Sequence, residues 1–354
     1  AAAMTPAGLA FGDAVEARLR AAAARLQAYD FKPWFYGDSI GFEGLVAASW
    51  LLDDARYRDF ARSFLLRWAM ADEPPGPDDN TAPGLVLCEL AADDDDETLA
   101  AAAERLARFL DGRRQVAAAP VTFEDARRSL REPYGEGALD AADQALLADP
   151  GPGIYVDCLH FDPPFLAALA DLRGEAERRS QAVAAAAGYV TLLQDQRSGL
   201  FHHFWLERRA RAYGLGWGRG QGWALLGLLD VIERVPVATD GRDTLVRATE
   251  RLLAAMLARQ LADGSWSAVA GVPASGPEAS TAAFMVVGFR RALRLGLGDA
   301  DGLAAGADRA WAATLEALDP SGLLCDARCT GERSLIRAFL FFVPACCFSA
   351  LLSG

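Results

Sequence analysis

Lysine is almost missing from this chain. Lys32 is the only one in 354 residues, and arginine carries every other fixed basic charge. Lys+Arg total 35 against 48 Asp+Glu, a net charge of −13. A polyanion needs a basic footprint, so this balance argues against nucleic acid as a partner. No apolar run reaches the length of a membrane span. The N-terminal stretch lacks a basic segment followed by an apolar one, so it does not read as a secretion signal, and a cytoplasmic location is expected.

Histidine is also scarce, with His160, His202 and His203 the only three. They lack the i,i+4 spacing and the nearby acidic ligand of a zinc site, so no metal is expected. Of the six cysteines, Cys325 and Cys329 lack a second pair at metal-site spacing. The others, including adjacent Cys346 and Cys347 in an apolar segment, read as small reduced core residues. The acidic run Ala92–Leu99 has no EF-hand order of ligands and glycine. It reads instead as a solvated turn whose acids sit at a helix N-terminus.

Strict period-two alternation is rare, and helical patterns fill the chain. Gly241–Gln260 places Leu245, Leu252, Leu253, Met256 and Leu257 on one face, with arginines elsewhere. "WALLGLLDVI" (Trp223–Ile232) is apolar nearly all round and predicts a buried helix. Wet and buried helices alternate. "RSGLF", "ADGSW" and "PSGLL" each put a turn glycine (Gly199, Gly264, Gly322) between an amphipathic helix and an apolar one. A helix pair cannot bury its apolar face alone, and at roughly 60 residues per pair the length holds about six pairs. The expectation is an all-α fold, an (α/α)6 barrel formed as one domain over residues 1–354, with function in the loops that enter the inner helices. The Pro/Gly-rich loop Glu73–Gly84 is long for a simple connector.

"YGLGWGRGQGW" (Tyr213–Trp223) alternates glycine with other residues. A dinucleotide loop needs a different glycine phase and a preceding strand, and no phosphate-loop lysine is present. Two readings stay open for Trp217 and Trp223: a packed turn with both rings in the core, or flat platforms for a sugar. Arg219 has little to pack on among glycines, which favours a role gripping a carboxylate in two-pronged fashion.

"WGRGQGW" resembles a segment of the unsaturated glucuronyl and rhamnogalacturonyl hydrolases, glycoside hydrolase families 88 and 105. Other segments are similar in the same order. They are "FKPWFYGDSIGFEGL" (31–45), "DDNTAPGLVLCELA" (78–91), "YVDCLHFDPPFLAAL" (155–169), "SGLFHHFW" (198–205), "DGSWSAV" and "PEASTAAFMVVGFRRALRLG". The resemblance implies an (α/α)6 barrel that needs no cofactor. It also implies a small oligosaccharide substrate ending in a 4,5-unsaturated uronic acid, the product of a polysaccharide lyase. An aspartic acid protonates C4, water adds at C5, and the resulting hemiketal collapses to release the neighbouring sugar.

Carried onto this chain, the resemblance makes Asp157 the acid/base and Asp79 its carboxylate partner. Trp34, Tyr36, Trp217 and Trp223 line the sugar site, with Gln221 beside them where the family has asparagine. Arg219 and His203 hold the uronate or orient water. Such an acid must hold a proton at working pH, which burial or a nearby carboxylate supplies. Asp162, before Pro163, reads as the cap of the following helix, which leaves Asp157 free of that duty. Glu278 and Ser280 read as a cap of the next inner helix. The same barrel also hosts inverting glycosidases and sugar epimerases, and a non-catalytic carbohydrate-binding member is a third possibility.

Overall fold

The computed structural model describes residues 12–31, 36–71, 73–76, 80–127, 145–146 and 148–325, and of 36–39 the backbone alone. Trp34, Asp79, Cys329, Cys346, Cys347 and the side chain of Tyr36 lie outside the described residues.

Among the described residues there are eleven α-helices. Six are outer: α1 (Asp13–Gln27), α3 (Arg56–Ala71), α5 (Glu97–Asp111), α7 (Ala176–Leu193), α9 (Arg242–Leu257) and α11 (Ala300–Ala317). The other five are inner: α2 (Tyr36–Leu51), α4 (Gly84–Asp94), α6 (Cys158–Arg173), α8 (Gly218–Arg234) and α10 (Ala279–Arg294). Each inner helix packs on the next inner one and on its outer partner. Apolar patterning decides which ring a helix joins. In α6 every residue from Cys158 to Ala170 is buried. In α9 the buried set is the single stripe from Leu245 to Met256. The architecture is the (α/α)6 barrel that the repeat predicts.

The repeat reaches down to single bonds. Gln194, capping the end of α7, donates its amide to Gly199 O (3.0 Å) and Ala248 O (2.9 Å), and Arg251 donates to Gln194 Oε1 (2.8 Å). One hairpin later Gln260 donates to Gly264 O (3.0 Å) and Gly306 O (2.9 Å), and Arg309 donates to Gln260 Oε1 (2.6 Å). Each turn thereby docks onto the next outer helix. A Cβ at Gly199 would lie 2.6 Å from Arg251 O of α9, and one at Gly264 would lie 2.2 Å from Arg309 O of α11. At Gly322 it would lie 2.2 Å from Ala22 N of α1. With Arg18 Nη1 donating to Leu315 O (2.8 Å), the outer ring closes from α11 back to α1.

The acidic run does what its charge suggests, and more. Asp96 caps α5, accepting from Thr98 N (3.0 Å) and Leu99 N (3.2 Å). Asp94 and Asp96 also hold Arg62 of α3, at 2.7 and 2.5 Å.

One boundary differs from the sequence reading. Asp162 does not cap α6: the helix starts at Cys158, and Pro163 and Pro164 lie inside it. Buried Asp162 accepts instead from Thr81 Oγ1 (2.6 Å) and Tyr189 OH (2.8 Å). Pro163 has no N–H for the carbonyl of Leu159. Gly227 of α8 packs against that carbonyl so closely that a Cβ there would sit 2.2 Å from Leu159 O.

Gly264 has φ +87, and Gly174 has φ +71 with nothing within 4 Å of an added Cβ. Both glycine-to-alanine changes carry backbone strain, but only Gly264→Ala must also push two elements apart. Urea unfolding should show Gly264→Ala losing about 1–3 kcal/mol more than Gly174→Ala. Equal losses would show that the turn does not dock as described.

Candidate active site

The N-termini of α6, α8 and α10 carry the chemistry. A small antiparallel sheet sets the first of them. Strand β3 (Gly153–Tyr155) pairs with β4 (Phe204–Leu206), and β4 pairs with β5 (Arg211–Tyr213). The two-residue strands Gln115–Val116 and Ala119–Pro120 form a separate hairpin after α5. Asp157 follows β3 and His203 precedes β4. Val156 N donates to His203 O (2.8 Å) and His203 N donates to Tyr213 O (2.9 Å), which sets His203 beside the start of α6, where the helical backbone of Asp157 turns its side chain toward the ring. His203 Nε2 lies 3.7 Å from Asp157 Oδ2.

Asp157 occupies the N-cap position of α6, yet its side chain makes no capping hydrogen bond. It is 8% exposed. Burial pushes its carboxyl up to about 6, against the lowering effects of its own backbone N–H, of Arg219 and of His160. The group therefore retains a proton well above the ordinary carboxylate range. His203 shifts the other way. Burial, and then the Arg219 charge, bring it down to about 3, so it faces Asp157 as a neutral imidazole. Tyr155 meets its ring edge-on at 5.6 Å, and Trp217 lies 4.2 Å away, centroid to centroid.

Arg219 sits in the first turn of α8. Its guanidinium carbon is 5.0 Å from the centroid of the Trp217 ring. Its Nη1 donates to Ser280 Oγ (3.3 Å) and lies 3.5 Å from Glu278 Oε1. Glu278 has no exposed surface and caps α10, accepting from Ser280 N (3.0 Å) and from the Ser280 hydroxyl. The predicted cap is present, and the same carboxylate also faces the arginine. The site thus combines a protonated acid, a neutral imidazole and an arginine over an indole. That set can donate a proton, orient a water and grip an anionic sugar.

The glycine run divides in two. Gly214 and Gly216 have φ +70 and +85 and form the turn before α8. Gly218, Gly220 and Gly222 already belong to the helix, which starts a turn earlier than the apolar pattern implies. At Gly218 and Gly222 an added Cβ would lie 2.4 Å from Thr281 Oγ1 and from Phe284 Cγ. These glycines allow helix–helix contact.

Two expected ligand residues point elsewhere. Trp223 is 1% exposed, enclosed by His160, Phe161 and Phe284 at centroid distances of 5.3, 5.4 and 4.9 Å. It leaves no ring face open for a sugar, so the core reading holds for Trp223. Gln221 is a bracket. Its Oε1 accepts from Phe201 N (2.7 Å), and its Nε2 donates to Phe201 O and Trp217 O (2.9 Å each). Both polar ends are already used, so Gln221 holds the Phe201 loop to the start of α8. The sequence singled it out because it stands where the resembling family has asparagine, which does not show which way its side chain faces.

The residues missed in the sequence are Tyr155, Asp162 and the partners of His160. His160 is not a lone histidine: Glu43 and Asp230 flank it at 3.1 and 3.4 Å. Asp162 carried a readable signal, being a carboxylate in a run with no wet face. Among the described residues no group of three or more His, Cys, Asp or Glu side chains could hold a metal ion.

A barrel of paired helices with a buried carboxyl and an arginine at the inner N-termini suits a carbohydrate-processing enzyme, and the family match gives that class. The chain belongs to Glycosyl Hydrolase Family 88, whose model matches residues 17–339. Solved structures agree in fold. A possible member of the GH105 family from Salmonella enterica is 16% identical with a TM-score of 0.75, over 98% of this chain and 96% of that one. A glycosyl hydrolase family 88 protein from Bacteroides vulgatus is 15% identical with a TM-score of 0.72, over 96% and 98%. An unsaturated glucuronyl hydrolase from Bacillus sp. GL1, responsible for the degradation of glycosaminoglycan, is 18% identical with a TM-score of 0.66, over 96% and 95%. No curated protein sequence matches.

Replacing Gln221 with the shorter asparagine should strand the buried Phe201 N–H, at about 1–3 kcal/mol, while Phe201 O and Trp217 O keep their bonds from Gly216 N and Gln221 N. Thermal melts of Gln221→Asn should show a lower midpoint, with relative turnover across different sugars unchanged. A changed sugar preference at unaltered stability would return Gln221 to the substrate site.

Proposed function

We propose that this glycosidase removes a terminal 4,5-unsaturated uronic acid from small oligosaccharides left by a polysaccharide lyase, through hydration of the C4=C5 double bond. The observation that carries the reading is Asp157, a buried carboxyl shifted to about 6 beside Arg219. A vinyl ether is a weak base, and its protonation at carbon needs an acid that still holds its proton near neutrality.

The steps balance as follows. Asp157 transfers its proton to C4, and positive charge develops at C5 and the ring oxygen. A water held by His203 attacks C5 and gives its proton back to the Asp157 carboxylate. The hemiketal at C5 opens to a ketone, and the hemiacetal left at C1 expels the neighbouring sugar. His203, neutral because its own value lies near 3, can accept a hydrogen bond from that water. Arg219 grips the uronate carboxylate, held in place by Glu278 and by its stack on Trp217. Asp79, Trp34 and Tyr36 keep the roles that the family resemblance implies.

An anionic substrate suits a local arginine in a chain of net charge −13. We read residues 1–354 as one catalytic domain, supported by the return of α11 onto α1. Among the described residues no helix is long and apolar enough to cross a membrane. We place the reaction in the cytoplasm, and the free thiols of Cys88, Cys158 and Cys325 support that.

A panel of lyase-generated unsaturated disaccharides tests the reading, followed by loss of the conjugated double-bond absorbance. Wild type should consume at least one, and Asp157→Asn should be slower by about a hundredfold or more. The proton must be present before reaction, so kcat/KM should fall as pH rises through about 6. Turnover of saturated glycosides alone would point to an inverting glycosidase on this barrel.

A further inference from the structure

One group of charges, gathered around a buried histidine, lies outside the machinery just described. His160 is the third residue of α6, one turn from Asp157, and is 1% exposed. Its Nε2 lies 3.1 Å from Glu43 Oε1 of α2, and its Nδ1 lies 3.4 Å from Asp230 Oδ2 of α8. Nε2 hydrogen-bonds Glu43, while Nδ1 makes no hydrogen bond and meets Asp230 through charge; a carboxylate on each side of the ring favours a proton on both nitrogens.

The surroundings fix that state. Burial disfavours the imidazolium, but Glu43 and then Asp230 outweigh it and hold His160 up at about 10. Burial would likewise protonate Asp230. The Arg291 charge from α10, at 2.5 Å, overrides this together with His160 and keeps Asp230 well below the carboxylate range. Arg291 also holds Glu233 at 2.7 Å, and Arg234 pairs with Glu89 of α4. Inner helices α2, α4, α6, α8 and α10 all contribute a charge to this cluster. Asp157 itself is faced by Arg219, His203 and His160.

Apolar side chains in place of the whole triad of His160, Glu43 and Asp230 would avoid the cost of desolvating three charges, and such replacements are often neutral or stabilising. What they could not do is tie the first turn of α6 to two neighbouring helices through charge. Nor could they set a cation behind the acid.

We propose that His160 is a positioning residue for Asp157: a permanent imidazolium, clamped between Glu43 and Asp230, that pins the first turn of α6 against α2 and α8 and places a fixed positive charge behind the acid. The proposal rests on the reading of Asp157 as the acid. The clamp sets the direction in which Asp157 delivers its proton. The charge keeps burial from raising Asp157 so far that it becomes too weak an acid for the vinyl ether.

Nitrogen NMR of ring-labelled wild-type protein reads the charge without any variant, and three histidines give a simple spectrum. The His160 ring should remain doubly protonated through pH 8, while His203 stays neutral. A neutral His160 ring at pH 7 overturns the proposal. The pH profile of His160→Gln supplies the second readout. Its kcat should fall, and its basic limb should move up by about half a pH unit to two units, the range from water-like to protein-like screening for charges one helix turn apart. A lowered kcat with an unmoved limb reduces His160 to a structural role and overturns the proposal, while an inactive Asp157→Asn leaves the assigned reaction intact. If Asp157→Asn is active, both readings fall together. Should His160→Gln not fold, the wild-type spectrum decides alone.

Discussion

A carboxyl group that must stay protonated sits beside an arginine that must stay charged, and this conflict governs the site. Arg219 alone would draw the proton from Asp157. Glu278, with no exposed surface, answers the arginine charge from the opposite side at 3.5 Å. Its own burial is made tolerable by the N-terminus of α10, whose Ser280 N–H and hydroxyl it accepts. Burial then has the larger say over Asp157 and carries it to about 6. The arginine is left anchored but with an exposed edge, 7% of its surface, toward the mouth. A buried charge without a partner costs several kcal/mol, so Arg219 and Glu278 depend on each other, and Asp157 depends on both.

The barrel makes this balance possible because its inner helices start at one place. The turns after α7 and α9 dock onto the following outer helix through the same glutamine bracket, which fixes the phase of one hairpin against the next. Phase matters more than strength here. Asp157, Arg219 and Glu278 come from three successive inner helices, and a slip of one helix by a residue would swing its side chain out of the group. The short sheet adds a local gauge, since the pairing of Tyr155 with Phe204 puts His203 opposite Val156, the residue before Asp157.

Much of this could be read from the chain. The alternation of wet and buried helices and the turn glycines gave the architecture. An arginine among glycines pointed to Arg219, and the family resemblance pointed to Asp157. The rest was hidden for one physical reason: sequence shows which residues are near in the chain, not which way they face. Gln221 and Trp223 share a helix start with Arg219, but α8 turns the first toward Phe201 and the second into the core. Asp162 followed local rules as a cap before proline, and lost to a tertiary demand from Thr81 and Tyr189. His160 takes its meaning from Glu43 and Asp230, each many residues away, which no spacing rule connects.

The central claim is that the bond broken first is the C4=C5 double bond and that the proton arrives on carbon. Running the reaction in deuterium oxide and examining the released uronate by mass spectrometry and NMR tests this directly. The account predicts one deuterium on C4 of every product molecule, with the double bond gone. Release of the neighbouring sugar with the double bond intact and C4 free of deuterium would contradict it.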